Sequence, residues 1–239
     1  DNIKRKYGYS YDAQNRLTAA YYQLPGTAVP YSNSYSTEYT YDLNGNILIL
    51  KLNGERDDPV NIEVIDTLDY IYDMGNSLQG VEDIEGNPAG YNDRNEHSSA
   101  NPDFEYDDYG NLTRNRDKKI SNIVYNHLHL PVEITFDSGQ KIEYLYTALG
   151  IKLEKTATDD NNSATITEYM DGFQYKNDVL QFFPHAEGYV QATQSSTIGN
   201  TQLSFHYVYN YTDHLGNIRL KYTIHPQTGE IRILEENHY

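Results

Sequence analysis

The chain has 239 residues, of which 25 are tyrosine, and it contains no cysteine and no tryptophan. Its formal net charge is −17, from 35 acidic and 18 basic residues. This charge argues against nucleic acid and anionic membrane surfaces as partners, because a nucleic-acid site needs a basic surface. The lack of cysteine excludes disulfides and thiolate metal sites, and no apolar run has the length of a membrane span. Helical periodicity is missing throughout.

A short pattern recurs along the chain: tyrosine, aspartate, two variable residues, glycine or asparagine, and then an aliphatic residue two places on. Its first four aspartates are 30, 31 and 34 residues apart, and self-similarity at such a period indicates a repeat architecture. A degenerate further copy has Thr147 in place of aspartate and ends at Gly150. The residues that define the copies are Tyr11, Asp12 and Asn15; Tyr41, Asp42 and Gly45; Tyr72, Asp73 and Asn76; Tyr106, Asp107 and Gly110; and Asp213, His214 and Gly216.

Each copy has the chemistry of a tight turn between two strands. Aspartate is favoured at the first position of a type I turn and glycine at the fourth, and the aspartate carboxylate can accept a backbone N–H two residues on. The fourth position calls for a positive φ, which glycine adopts freely and asparagine tolerates. Before the turns, tyrosines alternate as in Tyr39 and Tyr41, which is typical of strands. The sequence therefore predicts an all-β array of hairpins.

Polar stretches rich in Gly, Pro, Asn and Ser predict surface loops at residues 25–36, 53–59, 85–102, 158–163 and 194–202. Strand-like runs lie between them, among them residues 61–72 and 123–136. No shift in composition marks a domain boundary, so one continuous sheet array over residues 1–239 is the simplest prediction. The chain opens almost directly on a repeat, without a signal peptide, and ends on a strand-like run, which together favour a segment of a longer polypeptide.

With the repeats placed, the chain resembles the Rhs/YD-repeat proteins. Residues 1–116 are similar to their repeats, and residues 117–239 are similar to the Rhs repeat-associated core. The most specific stretch runs from Tyr211 to Arg219 and is close to the Asp-His-Leu-Gly-Asn/Ser-x-Arg signature of that core. Residues 125–131, 171–175 and 180–190 match further core elements, and residues 235–239 resemble a Glu-Glu-Asn-His-Tyr element common in Bacteroidetes members.

The resemblance implies a β-sheet that spirals into a hollow shell around a variable C-terminal effector, as in polymorphic toxins that are secreted or displayed at the cell surface. The implied partners are the remaining parts of the same polypeptide, with secretion machinery or an immunity protein as further candidates. Some family members release the effector by autoproteolysis at an Asp-Pro-x-Gly region downstream of the core. The chain's Asp58-Pro59 has no glycine in register and lies in the wrong part of the sequence, so that activity is not predicted here.

Other chemistry has weaker support in the sequence. His127 and His129 would share one face of a strand, as a metal site requires, but no third ligand converges on them. Asp213 and His214 could suggest acid–base catalysis, although Asp213 is better explained as a turn residue, and no serine stands in a nucleophile elbow. The stretch around Thr67 matches a short context that is glycosylated in exported Bacteroidetes proteins. No cofactor, metal or catalytic site is predicted.

Three classes of function remain open. The first is a structural shell segment that encapsulates or presents an effector. The second is a surface adhesin that binds glycan or protein through tyrosine-rich loops. The third is an autoprocessing enzyme, for which this sequence shows no site. The residues that follow position 239 in a longer protein would discriminate best between them.

Overall fold

The computed structural model describes residues 3–54, 60–93, 97–98, 100–197, 200–225 and 227–237. The predicted all-β fold is confirmed: the described residues form antiparallel strands and no helix. The strands are β1 Lys6–Tyr11, β2 Leu17–Gln23, β3 Thr37–Tyr41, β4 Ile47–Gly54, β5 Glu63–Tyr72, β6 Leu78–Asp83, β7 Phe104–Tyr106, β8 Leu112–Asn115, β9 Ile120–Tyr125, β10 Pro131–Phe136, β11 Lys141–Tyr146, β12 Lys152–Thr158, β13 Ala164–Met170, β14 Phe173–Lys176, β15 Val179–His185, β16 Gly188–Thr197, β17 Asn200–Thr212, β18 Ile218–Ile224 and β19 Ile231–Glu236.

The chain divides into two compact units, Asp1–Ile123 and Val124–Tyr239. In the first unit, β1 to β6 form one six-stranded sheet in which each strand pairs with the next along the chain. In the second unit, β10 to β19 likewise pair in chain order. Short connections of this kind are typical of hairpin meanders.

The six-stranded sheet ends at β6. The next strand, β7, does not continue the ladder, because Asp103 stands just before it with its side chain turned to β6. The Asp103 amide donates to the Gln79 carbonyl (2.9 Å), and the Asp103 carboxylate accepts the Val81 amide (3.2 Å). A side chain thus replaces the backbone acceptor that a paired strand would supply.

The core of the first unit lies between β5, β6 and β7. Leu68, Val81 and Phe104 are buried and touch one another. Partly buried apolar side chains surround this cluster: Leu50, Tyr70, Leu78, Tyr91, Tyr106 and Leu112. In the second unit, Val190 and Val208 are the buried apolar side chains among the described residues, so its strands are held chiefly by their ladders and by half-buried aromatic rings.

Three local predictions are wrong, each for an identifiable reason. Residues 194–197 and 200–202 were predicted as loop but belong to β16 and β17, because their polar residues are paired in one long ladder. Residues 123–136 were predicted as one strand but contain a turn between β9 and β10. Residues 25–36 do not form a simple surface loop, since Ser32 and Ser34 are buried and the segment is bonded to Tyr22 on β2. The Asn33 amide donates to the Tyr22 carbonyl, and the Ser36 hydroxyl accepts the Tyr22 amide.

Candidate functional site

The repeat turns are the feature that the sequence singles out, and in the structure they share one backbone geometry. In the second copy, the Asp42 amide donates to the Asn46 carbonyl (3.0 Å), and the Gly45 amide donates to the Asp42 carbonyl (3.3 Å). Gly45 has φ 98°. The strand register shifts at Tyr41, next to the turn. This is a three-residue hairpin loop made of a type I turn and a bulge residue with positive φ.

The aspartate carboxylate holds each turn closed. In the fourth copy, one oxygen of Asp107 accepts the amides of Tyr109 and Asn111, both at 2.9 Å. The other oxygen accepts the Asn111 side-chain amide (2.8 Å). Equivalent amide bonds are made by Asp12, Asp42, Asp73 and Asp213. The conserved geometry explains why aspartate stands at this position of each copy.

The fourth turn position has positive φ in all five copies. The values are 61° at Asn15, 98° at Gly45, 66° at Asn76, 82° at Gly110 and 84° at Gly216. These angles lie in the region that glycine adopts freely and asparagine tolerates.

The residue four places after the aspartate also takes part in the hydrogen bonds of the turn, although the sequence pattern assigned it no role. Arg16, Asn46, Asn111 and Asn217 each donate a side-chain N–H to the second carboxylate oxygen of their turn. The sequence contained a signal for this role: an asparagine or arginine four places after the aspartate. Both side chains carry planar N–H donors that can bond to a carboxylate oxygen. Ser77 stands at this position in the third copy and donates only its backbone amide to Asp73.

In the last copy, an arginine two places beyond the asparagine joins the turn. Asp213 accepts the amides of Leu215 and Asn217, the Asn217 side chain (3.1 Å) and Nε of Arg219 (2.9 Å). Desolvation alone would raise the pKa of Asp213, but these hydrogen bonds outweigh it and hold the pKa at about 2. His214 is exposed at the tip of the turn. The Asp-His-Leu-Gly-Asn-Ile-Arg stretch therefore forms a locked hairpin in which the arginine closes on the aspartate.

Successive turns of the first unit are also joined to one another. Arg16 donates to the Asp42 carbonyl (2.8 Å) and lies 4.6 Å from the centre of the Tyr41 ring. The Tyr41 hydroxyl in turn donates to the Leu17 carbonyl (2.7 Å). Between the second and third copies, the side chains of Asn44 and Asn46 both donate to Asn76, each at 2.8 Å. The turns thus form a row at one end of the strands of the six-stranded sheet.

The same turn recurs at positions that depart from the sequence pattern. Thr147 replaces aspartate with its hydroxyl, which accepts the amides of Leu149 and Ile151, so the degenerate copy keeps the common geometry. Asn126 does the same with its side-chain oxygen, and His129 takes the positive-φ position at 57°. His127 and His129 consequently lie in a turn and not on one face of a strand, which corrects that prediction.

Asp159 forms another such turn. It accepts the amides of Asn161 and Ser163, and Asn162 has φ 59°.

Within the described residues, no group of three or more His, Cys, Asp or Glu side chains could hold a metal ion. In that same part of the chain, no helix has the length and apolar character that crossing a membrane requires. The hydroxyl of Thr67 donates to Glu85 (2.9 Å).

Aromatic side chains line the sheets in stacked pairs. Tyr7 and Tyr9, Tyr39 and Tyr41, and Tyr207 and Tyr209 each lie with ring centres 6.3 to 6.4 Å apart and planes within 20° of parallel. In the second unit the rings continue over several strands: Phe173, Phe183, Phe205, His185, Tyr207, Tyr209 and Tyr222. Of these, Phe205 and Tyr207 are more than half exposed.

Replacing Gly110 by alanine should destabilise the protein by about 1 kcal/mol, because a Cβ is penalised at positive φ and no neighbouring atom lies within 4 Å of it. Asn15→Gly should be neutral or slightly stabilising for the same reason. Gly8→Ala is the matched control, since Gly8 lies in a strand outside the positive-φ region. Thermal melts in which Gly110→Ala is the least harmful of the three would contradict the turn geometry.

These features define the chain as a tandem β-hairpin repeat protein whose turns are closed by an aspartate or its substitute. No protein-family model matches the chain, and no curated protein matches it. Among solved structures, it is similar to the TcdB2-TccC3-Cdc42 crystal structure at 15% identity and TM-score 0.46, and to TcdB2-TccC3 at 15% identity and TM-score 0.48. Both matches cover 95% of this chain and 13% of the other. A Photorhabdus luminescens Tc holotoxin pore is matched at 14% identity and TM-score 0.34, over 98% of this chain and 16% of the other.

Proposed function

We propose that this chain is a structural shell segment of an exported Rhs-family protein that encapsulates or presents a variable C-terminal effector. The observation that carries the proposal is the locked hairpin at Asp213 to Arg219, because the residues that carry the Rhs resemblance are the residues that close this turn. The role is structural and not catalytic. Autoproteolysis, where it occurs, belongs to a region outside this chain.

The row of turns supports a structural role. Each turn fixes its own hairpin, and the contacts of Arg16 and Asn76 tie one hairpin to the next. A wall built in this way gains stability from nearest neighbours, as repeat proteins do. The net charge of −17 keeps such a wall soluble.

Several apolar side chains are exposed, which supports the proposal that other parts of a longer polypeptide cover them. Leu43 and Met74 stand fully exposed at neighbouring turns, and Phe205, Tyr207 and Tyr211 are more than half exposed on β17. Exposed apolar surface of this kind is typical of a site of contact. The partners that we propose are the rest of the shell and the downstream effector, in a protein secreted by a bacterium or displayed on its surface.

The test uses the full-length protein that contains this chain. Its downstream polypeptide should survive a protease concentration that degrades the same polypeptide expressed alone. A photo-crosslinker at Tyr207 should capture the downstream polypeptide or the rest of the shell. Equal degradation of the two forms, or a full-length structure with a solid interior or an effector tethered outside, would rule out encapsulation.

A second candidate is a surface adhesin that binds glycan or protein. The stacked tyrosine pairs favour it, since flat, partly exposed rings can pack on the apolar face of a sugar while their hydroxyls stay solvated. Binding of the 239-residue chain to a glycan array that is lost in Tyr207→Ala and retained in Asp108→Ala would favour this candidate over the shell.

A further inference from the structure

The outer edge of β6 is closed by side chains and not by another strand. The Val81 amide donates to the carboxylate of Asp103 (3.2 Å), and the Asp83 amide donates to the carboxylate of Asp93 (3.1 Å). Glu82, also on β6, accepts the His97 amide (2.7 Å). Edge amides are ordinarily satisfied by a neighbouring strand or by water. Here the described parts of the segment between β6 and β7 cover them with carboxylates.

One of these contacts contains two buried polar atoms that lack hydrogen-bond partners. The Asp103 side chain is fully buried and the His97 side chain is nine-tenths buried. Nδ1 of His97 lies 3.9 Å from Oδ2 of Asp103, beyond hydrogen-bond range. Within the described residues, neither Nδ1 of His97 nor Oδ1 of Asp103 has a partner. Buried polar atoms without partners are costly, so this pair is a point at which the edge contact is weak.

Gly80 provides the space in which the pair sits. A Cβ at Gly80 would meet Nδ1 of His97, and it would lie 2.7 Å from Oδ2 of Asp103. Both side chains therefore rest directly on the backbone of β6. The missing Cβ lets the imidazole and the carboxylate approach each other, whereas any larger residue would separate them.

The charges around Asp103 disfavour its ionised form. Asp117 and Asp93 face it from the turn after β8 and from the segment after β6, and His97 lies beside it. Desolvation is the largest cause, and together with Asp117 it raises the pKa of Asp103 to about 6. Arg116 uses its guanidinium elsewhere, on the Pro102 carbonyl and Glu105.

The groups behind this first layer are also bonded. The Tyr91 hydroxyl donates to Asp117 (2.7 Å), and its burial together with that bond raises the pKa of Tyr91. The Tyr91 amide donates to Asp66 on β5 (2.6 Å). The surroundings of the pair are therefore acidic and hydrogen-bonded, and within the described part of the chain Nδ1 of His97 and Oδ1 of Asp103 are the atoms of this group without a hydrogen-bond partner.

We propose that His97 and Asp103, seated on Gly80, form a proton-dependent clasp that closes the outer edge of β6 in mild acid and loosens it at neutral pH. A proton on Asp103 removes the buried charge and gives its carboxyl group an O–H that can donate to Nδ1 of His97. Loosening the clasp uncovers the Val81 amide, while the Asp83 amide keeps its bond to Asp93. The proposal is independent of the encapsulation proposed above.

The direction of the pH dependence follows from the native-state proton affinity. Asp103 holds its proton more tightly in the folded chain than in the unfolded chain, where its pKa is 3.8. The contribution of the clasp to stability is therefore full below about pH 4 and is lost as the pH rises through about 6. Asp213, with its lowered pKa, has the opposite sign: its contribution is present above pH 3.8 and is lost toward pH 2.

Hydrogen exchange of the 239-residue chain tests the clasp. After correction for the intrinsic exchange rate, protection of the peptide that contains Val81 should be roughly tenfold higher at pH 5 than at pH 7.5, since one pKa unit corresponds to a factor of ten. The β16 and β17 ladder is the internal control and should not follow this trend. Equal protection of the Val81 peptide at the two pH values would overturn the proposal.

Variants separate the clasp from general acid effects. Asp103→Asn keeps an acceptor for Val81 and removes the charge, so its protection at pH 7.5 should match that of the wild type at pH 5, with little remaining pH dependence. Gly80→Ala should abolish the pH dependence by separating the pair. Asp213→Asn is the matched control and should leave the response of the Val81 peptide unchanged. A pH response that persists in Asp103→Asn would assign it to another group and refute the clasp.

Discussion

Replacing Phe104 by alanine should destabilise the first unit by about 3–5 kcal/mol, the range for removing a buried phenylalanine. Phe104 is 8% exposed and packs against Leu68 and Val81. Because the β6–β7 junction has no continuous ladder, this ring is the main apolar contact that holds β7 against β5 and β6. Its loss leaves both a cavity and a weakened junction.

Phe205→Ala is the control for that substitution. It removes the same atoms, but Phe205 is 53% exposed on β17, so its cost should be well under half that of Phe104→Ala. Urea unfolding followed by tyrosine fluorescence, with hydrogen exchange of β5 and β6 as a local probe, measures both. Equal destabilisation by the two variants would show that the Leu68, Val81 and Phe104 cluster is not the core of the first unit.

The hairpins could be predicted from sequence because each turn is closed by residues at most six positions apart. Aspartate, positive-φ residue and flanking strands are all local, and the same local geometry appears at Asp42 and Asp213. The turns at Asn126 and Asp159 depart from the sequence pattern. Asn126 replaces the aspartate and His129 replaces the glycine in one, and Thr158 replaces the tyrosine in the other. The hydrogen-bonding pattern of the turn therefore repeats more faithfully than the residue types that form it.

The break after β6 could not be predicted, because it depends on contacts that are distant in the sequence. Asp66, Asp103 and Asp117 are buried, although aspartate in a polar stretch ordinarily indicates a solvated loop. Their burial follows from donors that need acceptors where no strand pairs with them: Asp103 accepts the Val81 amide, Asp66 accepts the Tyr91 amide and Asp117 accepts the Tyr91 hydroxyl. Composition alone contains no trace of such partners, so the loop at residues 85–102 appears featureless in the sequence.

Glycines show the same division between local and distant causes. Gly216 is explained within its own turn, by φ 84° with no atom near a would-be Cβ. Gly188 opens β16 opposite Tyr209 with φ 157°, and a second reason for glycine lies on the neighbouring strand. A Cβ there would meet the carbonyl oxygen of Val208 and would lie 3.2 Å from Cα of Tyr209.

Gly188→Ala should therefore be among the most harmful single substitutions in the second unit, costing about 3 kcal/mol or more. The obstructing atoms are backbone and cannot rotate away. Val208 is fully buried, and β17 is also held by β18, so the added methyl group must force β16 and β17 apart. Gly216→Ala adds the same methyl group in open space and should cost only about 1 kcal/mol, from its backbone conformation. Urea unfolding and hydrogen exchange of β16 and β17 compare the two variants directly. If Gly216→Ala proved as harmful as Gly188→Ala, the close approach of β16 to the Val208 carbonyl would not be what requires glycine at position 188.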